Sequence, residues 1–179
     1  MNGTLSAKSA TLEIFCVDLS STWTHTETHA VELPPNQSTE LLSIPCPCPS
    51  KEGLVSPSGY DDWTTSHTVV VGVRLLDLQT GEVLARTVDW PQPYRYLQLP
   101  DPGVKVIVDE TGSTVTIDVQ APAKGVVLEA IGDGPEPQWS DNAMDLMPGD
   151  TRVLQVVGLN GRGLRIAYLG KENATTCVL

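Results

Sequence analysis

The chain has 179 residues, of which 40% are apolar and 5% aromatic, and its formal net charge at pH 7 is −11. This acidity argues against a nucleic-acid partner, because neutralising phosphates requires clustered Lys and Arg. It argues equally against an anionic membrane surface. The sequence also lacks the roughly 20 consecutive apolar residues that a membrane-spanning helix needs. We therefore expect neither nucleic acid nor membrane as a partner, and a well-solvated acidic exterior.

Apolar residues alternate with polar ones along most of the chain, which is the period of a β-strand. In the clearest hairpin, residues 69–76 turn at Gln79-Thr80-Gly81 and return as residues 83–88. The predicted strands, in chain order, are residues 11–18, 26–33, 40–44, 69–76, 83–88, 104–108, 115–119, 125–130, 151–157 and 164–169. No window of helical length shows apolar residues at helical spacing. The sequence therefore predicts an all-β fold of antiparallel β-sandwiches.

The segment Pro100-Asp101-Pro102-Gly103 is the predicted boundary between two domains. Its two prolines cannot donate to a strand ladder, and the glycine allows the chain to reverse direction. The boundary leaves one domain over residues 1–100 and another over residues 101–179, each near the size of an immunoglobulin-like sandwich. We therefore predict two tandem immunoglobulin-like antiparallel β-sandwiches, with the proline-rich residues 45–66 as a long loop inside the first.

A run of eleven residues, 140–150, is the most distinctive motif of the chain. It reads Ser-Asp-Asn-Ala-Met-Asp-Leu-Met-Pro-Gly-Asp and directly follows Trp139. Its polar start predicts a loop, since Ser, Asp and Asn side chains bond to the nearby backbone. Pro148-Gly149 suits the two central positions of a type II turn. The run resembles the signature before the penultimate strands of the last β-sandwich in β-mannosidases, members of glycoside hydrolase family two.

A second stretch carries the same resemblance independently. Residues 77–86 lead into Asp89-Trp90-Pro91-Gln92-Pro93-Tyr94, and together they resemble the domain before the last one in fungal intracellular-type β-mannosidases. The two motifs occur in the family's order, and the similarity runs over nearly the whole chain. The resemblance implies a C-terminal accessory region of a retaining exo-glycosidase that removes terminal non-reducing β-D-mannose.

The resemblance also implies where the chemistry of the parent enzyme lies. In the family, two catalytic glutamates belong to a (β/α)₈ barrel, and neither has a matching position in this sequence. No strand–helix alternation is present to form such a barrel. We therefore assign no catalytic, cofactor-binding or metal-binding residue and expect no cofactor. The chain is expected to pack on the catalytic barrel and the N-terminal domains of its parent.

Two further expectations concern the compartment of the protein and its self-association. The first follows from the same resemblance, and the second from the first residues of the sequence. The resemblance favours the cytoplasm, with secretion left open, and three glycosylation sequons begin at Asn2, Asn36 and Asn173. Asn2 looks like the middle of the first sandwich, with an opening strand expected before it. A missing strand would leave an unpaired sheet edge, through which copies of the chain could associate.

Acidic pairs are the first candidates for chemistry within the chain itself. A retaining glycosidase needs two carboxyls about 5–5.5 Å apart. Asp61-Asp62 and Asp109-Glu110 are adjacent in predicted loops, where neighbouring side chains diverge and water keeps both charged. Asp141 and Asp145 lie in the distinctive run, whose pattern predicts loop structure. None of these pairs is predicted to be catalytic.

A zinc site is the second candidate, and its conceivable ligands are His25, His29, Cys46, Cys48 and His67. Structural zinc sites commonly have two to four residues between the ligands of a pair. Cys46-Pro47-Cys48 has a single residue between, and no second pair follows at the usual spacing. We therefore interpret His25 and His29 as ordinary exposed residues of a polar strand.

Carbohydrate binding is the alternative function, since sugar rings stack on flat aromatic faces. The aromatic candidates are Trp23, Tyr60, Trp63, Trp90, Tyr94, Tyr96 and Trp139. Tyr60-Asp61-Asp62-Trp63 combines aromatic and carboxylate groups in a loop, as sugar contacts do. An autonomous carbohydrate-binding module with mannosides as ligands is therefore kept as the alternative. A third reading, an extracellular adhesion sandwich, is supported by neither motif.

An interface role is favoured over sugar binding for the aromatic residues near the domain junction. Large aromatic side chains in such places more often fill an interface than remain free. Trp90, Tyr94, Trp139 and the loop of residues 141–150 are the contacts that we expect to set the geometry against the catalytic barrel.

Overall fold

The computed structural model describes residues 2–47, 49, 68–91 and 93–177 of the chain. These residues form twelve β-strands and one 3₁₀ turn at Tyr94–Tyr96, with no α-helix among them. The strand ladders are all antiparallel. The predicted all-β antiparallel class is therefore confirmed. In the described part of the chain, no helix has the length and apolar character needed to cross a membrane.

The strands are short to medium in length and are numbered here in chain order. They are β1 (Lys8–Asp18), β2 (Thr24–Leu33), β3 (Val69–Asp77), β4 (Val83–Asp89), β5 (Lys105–Val108), β6 (Thr114–Asp118), β7 (Ala123–Ala130), β8 (Gln138–Trp139), β9 (Met144–Leu146), β10 (Arg152–Val157), β11 (Leu164–Tyr168) and β12 (Lys171–Cys177). The chain divides into two compact units, Met1–Gln98 (unit 1) and Leu99–Leu179 (unit 2).

Unit 1 contains a four-stranded sheet in the order β2-β1-β3-β4. Because successive side chains of a strand point to opposite faces, each strand of this sheet contributes one set of residues to each face. One face buries Ile14, Cys16 and Val69 in a small cluster. Partly buried apolar side chains pack around this cluster: Leu12, Trp23, Ile44, Val71 and Val73. On the opposite face, Arg74 Nη2 pairs with Glu13 Oε2 at 2.7 Å.

Unit 2 is a sandwich of two four-stranded sheets, ordered β5-β6-β10-β8 and β12-β11-β7-β9. The apolar positions of both sheets face each other and form one core. Its buried members are Val115, Ile117, Val119, Ala123, Val126, Leu128, Met144, Leu146, Leu154, Val156, Leu159, Leu164, Ile166 and Tyr168. This core follows directly from the period-two patterns of β6, β10 and β11, in which every second residue is buried.

The prediction of a strand at residues 40–44 is wrong, because the structure places this stretch outside any strand. Pro45 and Pro47 follow at once and cannot donate to a ladder. Ile44 instead packs against the cluster of unit 1, whereas Leu42 is exposed. The apolar character of Ile44 thus indicated burial correctly, but the predicted strand pairing does not form.

Three strands were not predicted from the sequence. β8 and β9 have two and three residues, too few to show a period of two. β12 is polar (Lys-Glu-Asn-Ala-Thr-Thr-Cys) and lies at the edge of its sheet, so hydrophobic alternation gives no signal for it. Pairing with β11 defines it as a strand.

Candidate functional site

One face of the edge strand β2 gathers the polar and aromatic groups of unit 1. His25, Glu27 and His29 alternate with Thr24, Thr26 and Thr28, so the three lie on the same side of the sheet. Their register partners on β1 are Cys16, Ile14 and Leu12. The two histidines and the glutamate are therefore placed beside the apolar cluster of unit 1, each with its side chain about one third exposed.

The carboxylate of Glu27 bridges both histidines. Its Oε1 lies 2.7 Å from Nε2 of His25, and its Oε2 lies 3.1 Å from Nε2 of His29. Hydrogen bonds from His25 and His29 hold the pKa of Glu27 below its ordinary value. Glu27 is therefore ionised at neutral pH and accepts hydrogen bonds, which makes it unsuited to act as a general acid.

The turn that leads into β2 positions Trp23 at the start of this face. Asp18 accepts hydrogen bonds from the Ser20 hydroxyl at 2.9 Å and from the Ser21 hydroxyl at 2.6 Å. Burial alone would raise the pKa of Asp18, but hydrogen bonds from Ser21, Thr68 and Ser20 outweigh it and hold the pKa below its ordinary value. The ordered turn aligns the Trp23 indole with the His25 ring, at 6.0 Å between centroids and 5° between planes.

These side chains form one wall of an open groove of about 490 Å³. The residues that line it are Trp23, His25, Glu27, Ile44, Pro45, Cys46 and Pro47. Beneath it, burial and the nearby Cys46 and Glu27 raise the pKa of the Cys16 thiol to about 11, so this thiol is protonated at neutral pH. The groove offers a flat aromatic surface, an ionised carboxylate and an apolar rim.

The groove is suited to binding rather than to glycoside hydrolysis. A retaining mechanism requires a second carboxyl about 5–5.5 Å from the first, with one of them protonated. Glu27 is the one carboxylate among the described residues that line the groove, and its pKa is lowered. Among the other predicted acidic candidates, Asp109 organises its own turn by accepting hydrogen bonds from the Ser113 and Thr114 amides, both at 2.8 Å.

The proposed zinc ligands are only partly brought together. His25 and His29 meet at Glu27, and Cys46 lines the same groove. Cys48 and His67 lie outside the described residues. In the described part of the chain, no group of three or more His, Cys, Asp and Glu side chains is arranged to hold a metal ion. The histidines are not merely exposed strand residues, as the sequence had suggested, because a shared carboxylate orients both.

The loop of residues 141–150 is fastened to β7 by its own polar side chains. Asn142 accepts a hydrogen bond from the Leu128 amide and donates one to the Leu128 carbonyl, both at 2.9 Å. Asp145 accepts from the amide of Gly125 at 2.7 Å and pairs with Lys124 at 3.2 Å. Gly125 lies at a register irregularity between β7 and β9, with φ of 62°. The Asn and Asp of the motif therefore satisfy backbone groups that the interrupted ladder leaves open.

The expected type II turn is present at the end of this loop. The Asp150 amide donates to the Met147 carbonyl at 3.2 Å, and Gly149 has the positive φ, 75°, that this turn requires at its third position. Met144, Leu146 and Met147 are buried. The contacts described for residues 141–150 lie within unit 2 and hold it together. The expected contact of this loop with the catalytic barrel stays a prediction.

The aromatic candidates have different surroundings. Trp90 is buried, Tyr94 is half-buried and opens the 3₁₀ turn, and Tyr96 is exposed with the Arg95 guanidinium 4.7 Å from its ring centroid. Trp139 packs against the core of unit 2. Tyr60, Asp61, Asp62 and Trp63 lie outside the described residues. Among these aromatic candidates, Trp23 lines the groove described above.

The outward face of the β5-β6-β10-β8 sheet carries a second feature, an exposed apolar patch. Ile107, Val153 and Val157 have 53%, 60% and 67% of their surface exposed. Ile107 and Val153 are both register partners of Thr116, so they lie in one row across three strands. Val157 lies four residues after Val153 along β10, so its side chain is on the same face. We call Ile107, Val153 and Val157 the outer apolar row.

Sequence reasoning overlooked the groove, although its signal was present. Trp23, His25, Glu27 and His29 recur at every second position, with threonine or another polar residue between them. Such alternation places four functional groups on one face of a strand. The zinc hypothesis concerns histidines and cysteines, so it leaves out the glutamate that lies between the two histidines.

Comparisons with known proteins agree with this structure. Residues 1–96 match the family described as mannosidase Ig/CBM-like domain, and residues 99–165 match a mannosidase family described as Ig-fold domain. Two immunoglobulin-like domains in tandem are thereby confirmed, as is the resemblance to fungal β-mannosidases.

Curated relatives named beta-mannosidase B come from several fungi. The Aspergillus oryzae protein is 44% identical over 146 residues, which are 79% of this chain and 15% of the relative. The Aspergillus niger protein is 33% identical over 145 residues, with the same shares of 79% and 15%. The Thermothelomyces thermophilus protein is 30% identical over 154 residues, 83% of this chain and 16% of the relative. The chain spans about 15% of the length of these relatives, the share expected of an accessory region.

The first match covers more than half of the 179 residues, and the second begins three residues after it ends. The protein therefore belongs to the mannosidase Ig/CBM-like domain family, with a mannosidase-type Ig-fold domain directly after the first.

Proposed function

We propose that this chain is the immunoglobulin-like accessory region of a β-mannosidase that removes terminal non-reducing β-D-mannose. Its role would be to pack against the catalytic barrel and the other domains of the parent enzyme, which would hold the two catalytic glutamates. The proposal is supported by the two matching domain families and by the small share of the relatives' length that the chain spans.

The outer apolar row of unit 2 is the observation that carries this proposal. Its three β-branched residues are more than half exposed. Burying apolar surface gains about 25 cal/mol per Å², so covering the outer apolar row would stabilise the association with a partner. Threonine, also β-branched and common in strands, would suit an exposed position equally well. Ile and Val at these positions are therefore best explained by contact with the rest of the parent.

A chimera tests this proposal. This chain replaces the matching region of the Aspergillus oryzae relative, to which it is 44% identical. We expect the chimera to hydrolyse 4-nitrophenyl-β-D-mannoside and to melt cooperatively. Val153→Thr with Val157→Thr should lower the melting temperature of the chimera by several degrees while changing that of the isolated chain by less than about one degree.

Leu78→Thr is the matched control, because Leu78 is 56% exposed but lies in a turn of unit 1. It should leave the melting temperature of the chimera unchanged. A chimera that folds but responds equally to both sets of substitutions would contradict docking through the outer apolar row. A chimera whose parts melt independently would contradict the accessory role itself.

We also propose a cytoplasmic location for the protein. Cys16 is a buried free thiol, and free cysteines are typical of reducing compartments. Of the described sequons, Asn2 uses its amide group to donate to the Ser6 and Leu33 carbonyls, whereas Asn36 is exposed. Secretion would therefore add a glycan at Asn36. A mobility shift of the natural protein on endoglycosidase treatment, lost in Asn36→Gln, would contradict the cytoplasmic location.

Self-association is a subordinate proposal that rests on the edge strand β4. This strand ends the sheet of unit 1, and five of its seven residues are exposed. Exposed edge strands present N–H and C=O groups that a second copy could pair with. Sedimentation velocity over a wide concentration range should show reversible dimers, which Leu84→Pro should abolish. A monomer at every concentration would contradict this proposal.

A further inference from the structure

We propose that the groove of unit 1 binds a neutral pyranoside, with Trp23 and His25 as the stacking surface and Glu27 as the hydroxyl acceptor. The proposal concerns a face of unit 1, whereas the docking proposal concerns unit 2. It can therefore be tested on the isolated chain, and either proposal can fail while the other stands.

The aromatic wall supplies the first element of a sugar site. The Trp23 and His25 rings are stacked, with planes within 5° of parallel and centroids 6.0 Å apart, so each ring fixes the orientation of the other. The electron-rich face of an aromatic ring attracts the weakly positive C–H groups on one side of a pyranose ring. Trp23 is held in place because it packs against the apolar cluster of unit 1 and its amide donates to the Ser21 hydroxyl at 3.2 Å. The wall is thus ordered before any ligand arrives.

Glu27 supplies the second element. A carboxylate has about four acceptor positions, and the two histidines occupy one on each oxygen. The side chain is 30% exposed, so the remaining positions are open to a ligand. Two neighbouring sugar hydroxyls could each donate to one oxygen, and hydrogen bonds to a charged acceptor are stronger than neutral ones. The two histidines fix the orientation of the carboxylate, which lowers the conformational cost of binding.

Charge and size restrict the class of ligand. An acidic sugar would meet the carboxylate of Glu27 and a chain of net charge −11, so a neutral sugar is favoured. The groove volume of about 490 Å³ lies within the range of small-molecule sites, roughly 300–1,000 Å³. Ile44 and Pro45 add apolar surface on the rim. Together these features fit one or two pyranose units.

The test is a calorimetric titration of the chain with mannobiose, mannotriose and, for comparison, cellotriose. We expect saturable binding with a Kd at or below about 1 mM for at least one of them. Glu27→Gln should weaken this binding at least about fivefold, because a charged acceptor is lost. Trp23→Ala should abolish it and should also remove the ligand-induced change in tryptophan fluorescence.

Glu13→Gln is the matched control. Glu13 has the same 30% exposure as Glu27 and pairs with the side chain of Arg74, but it lies on the opposite face of the sheet. Its substitution should change the Kd by less than about twofold. If Trp23→Ala does not fold, the comparison of the two Glu→Gln variants decides the question.

Each outcome supports or overturns the proposal. Equal binding of cellotriose would support a pyranoside site without selectivity for mannose. No saturation with any of the three sugars up to about 20 mM would overturn it. Equal weakening by Glu13→Gln and Glu27→Gln would also overturn it, since the binding would then not involve the groove.

Discussion

The two units of this chain hold themselves together in different ways. Unit 2 closes two sheets over a core of fourteen buried residues. In unit 1, the described residues form a four-stranded sheet with a cluster at Ile14, Cys16 and Val69. Burial of apolar surface is the main favourable term in folding, so the core of unit 2 is a main source of the stability of that unit. The same sequence alternation thus builds two facing sheets in unit 2 and, among the described residues of unit 1, one sheet beside a small cluster.

Two sets of polar side chains, one in each unit, are also used differently. In unit 2, Asn142 and Asp145 satisfy backbone groups of β7, so the most distinctive polar motif serves the fold. In unit 1, Glu27 joins two histidines beside a groove and bonds to no backbone group in the contacts described. The comparison teaches that a conspicuous motif can be structural, while a less conspicuous alternation can form the open site.

The largest expected effect comes from emptying the core of unit 2. Leu128→Ala removes a side chain that is 1% exposed, and we expect the free energy of unfolding of unit 2 to fall by about 2–5 kcal/mol. Leu12→Ala, at a partly buried position of unit 1, should lower the stability of that unit by about 1 kcal/mol. Calorimetry that resolves one transition for each unit measures both. Equal losses would show that unit 1 is as tightly packed as unit 2.

The next effect tests whether the distinctive loop is structural. Asn142→Ala leaves the amide and carbonyl of Leu128 without their side-chain partner, and we expect unit 2 to lose about 2 kcal/mol. Asp141→Ala removes an ion pair with Arg152 and an exposed hydrogen bond that Asp141 accepts from the Asn142 amide. It should cost less than about 1 kcal/mol, since Asp141 is about half exposed. Chemical denaturation measures both variants. Similar losses would mean that the Asn142 bridge does not hold the loop.

Lowering the pH should destabilise the two units to different extents, and this difference should be smaller than those above. Among the described residues, the carboxyls with lowered pKa are Asp18, Glu27 and Asp77 in unit 1 and Asp109 in unit 2. A carboxyl whose pKa is lower in the folded chain stabilises it at neutral pH. That contribution is lost as the pH falls from the ordinary value, 4.5 for Glu and 3.8 for Asp, through the folded value.

Unit 1 should therefore lose its folded NMR signals before unit 2 as the pH is lowered below 4.5. The physical reason is that unit 1 has more carboxyls that must be protonated against their hydrogen bonds. Glu27→Gln should make unit 1 less sensitive to pH over this range. Simultaneous loss of both sets of signals, or earlier loss from unit 2, would contradict this ordering.

The smallest effect is expected for Trp139→Phe. The indole N–H of Trp139 is buried and has no hydrogen-bond partner among the described residues, which by itself costs about 1–3 kcal/mol. Trp139→Phe removes this donor along with some packing, so we expect a change below about 1 kcal/mol. Trp139→Ala removes the whole ring from the edge of the core and should cost about 3 kcal/mol. Thermal melts compare the two, and a large loss for Trp139→Phe would show that the N–H has a partner in solution.

Most of the architecture could be predicted from alternation alone. The strand patterns of β6, β10 and β11 place apolar residues at every second position, and the structure buries those positions. The turn at Pro148-Gly149 was equally predictable, because glycine at its third position permits the positive φ observed there. Strands of two or three residues, such as β8, could not be predicted, because a period needs more residues to appear.

The candidate site was only partly accessible from the sequence. The alternation of His25, Glu27 and His29 was enough to place them on one face of a strand. The groove also needs Ile44 and Pro45, which line it. These two residues lie in a segment that forms no strand and follows no period. No local pattern specifies where such a segment lies.

The sequence by itself determined the all-β class, the antiparallel hairpins and the family, because alternation and turn residues act over a few positions and the two motifs are distinctive. Only the tertiary structure decided which polar groups serve the fold and which remain open. Asn142 follows strand β8 and Glu27 lies within strand β2, and both are polar, yet one bonds to the backbone of β7 and the other lines a groove. The reason is that hydrogen-bond partners distant in the chain are chosen by how the sheets pack, and alternation does not encode that choice.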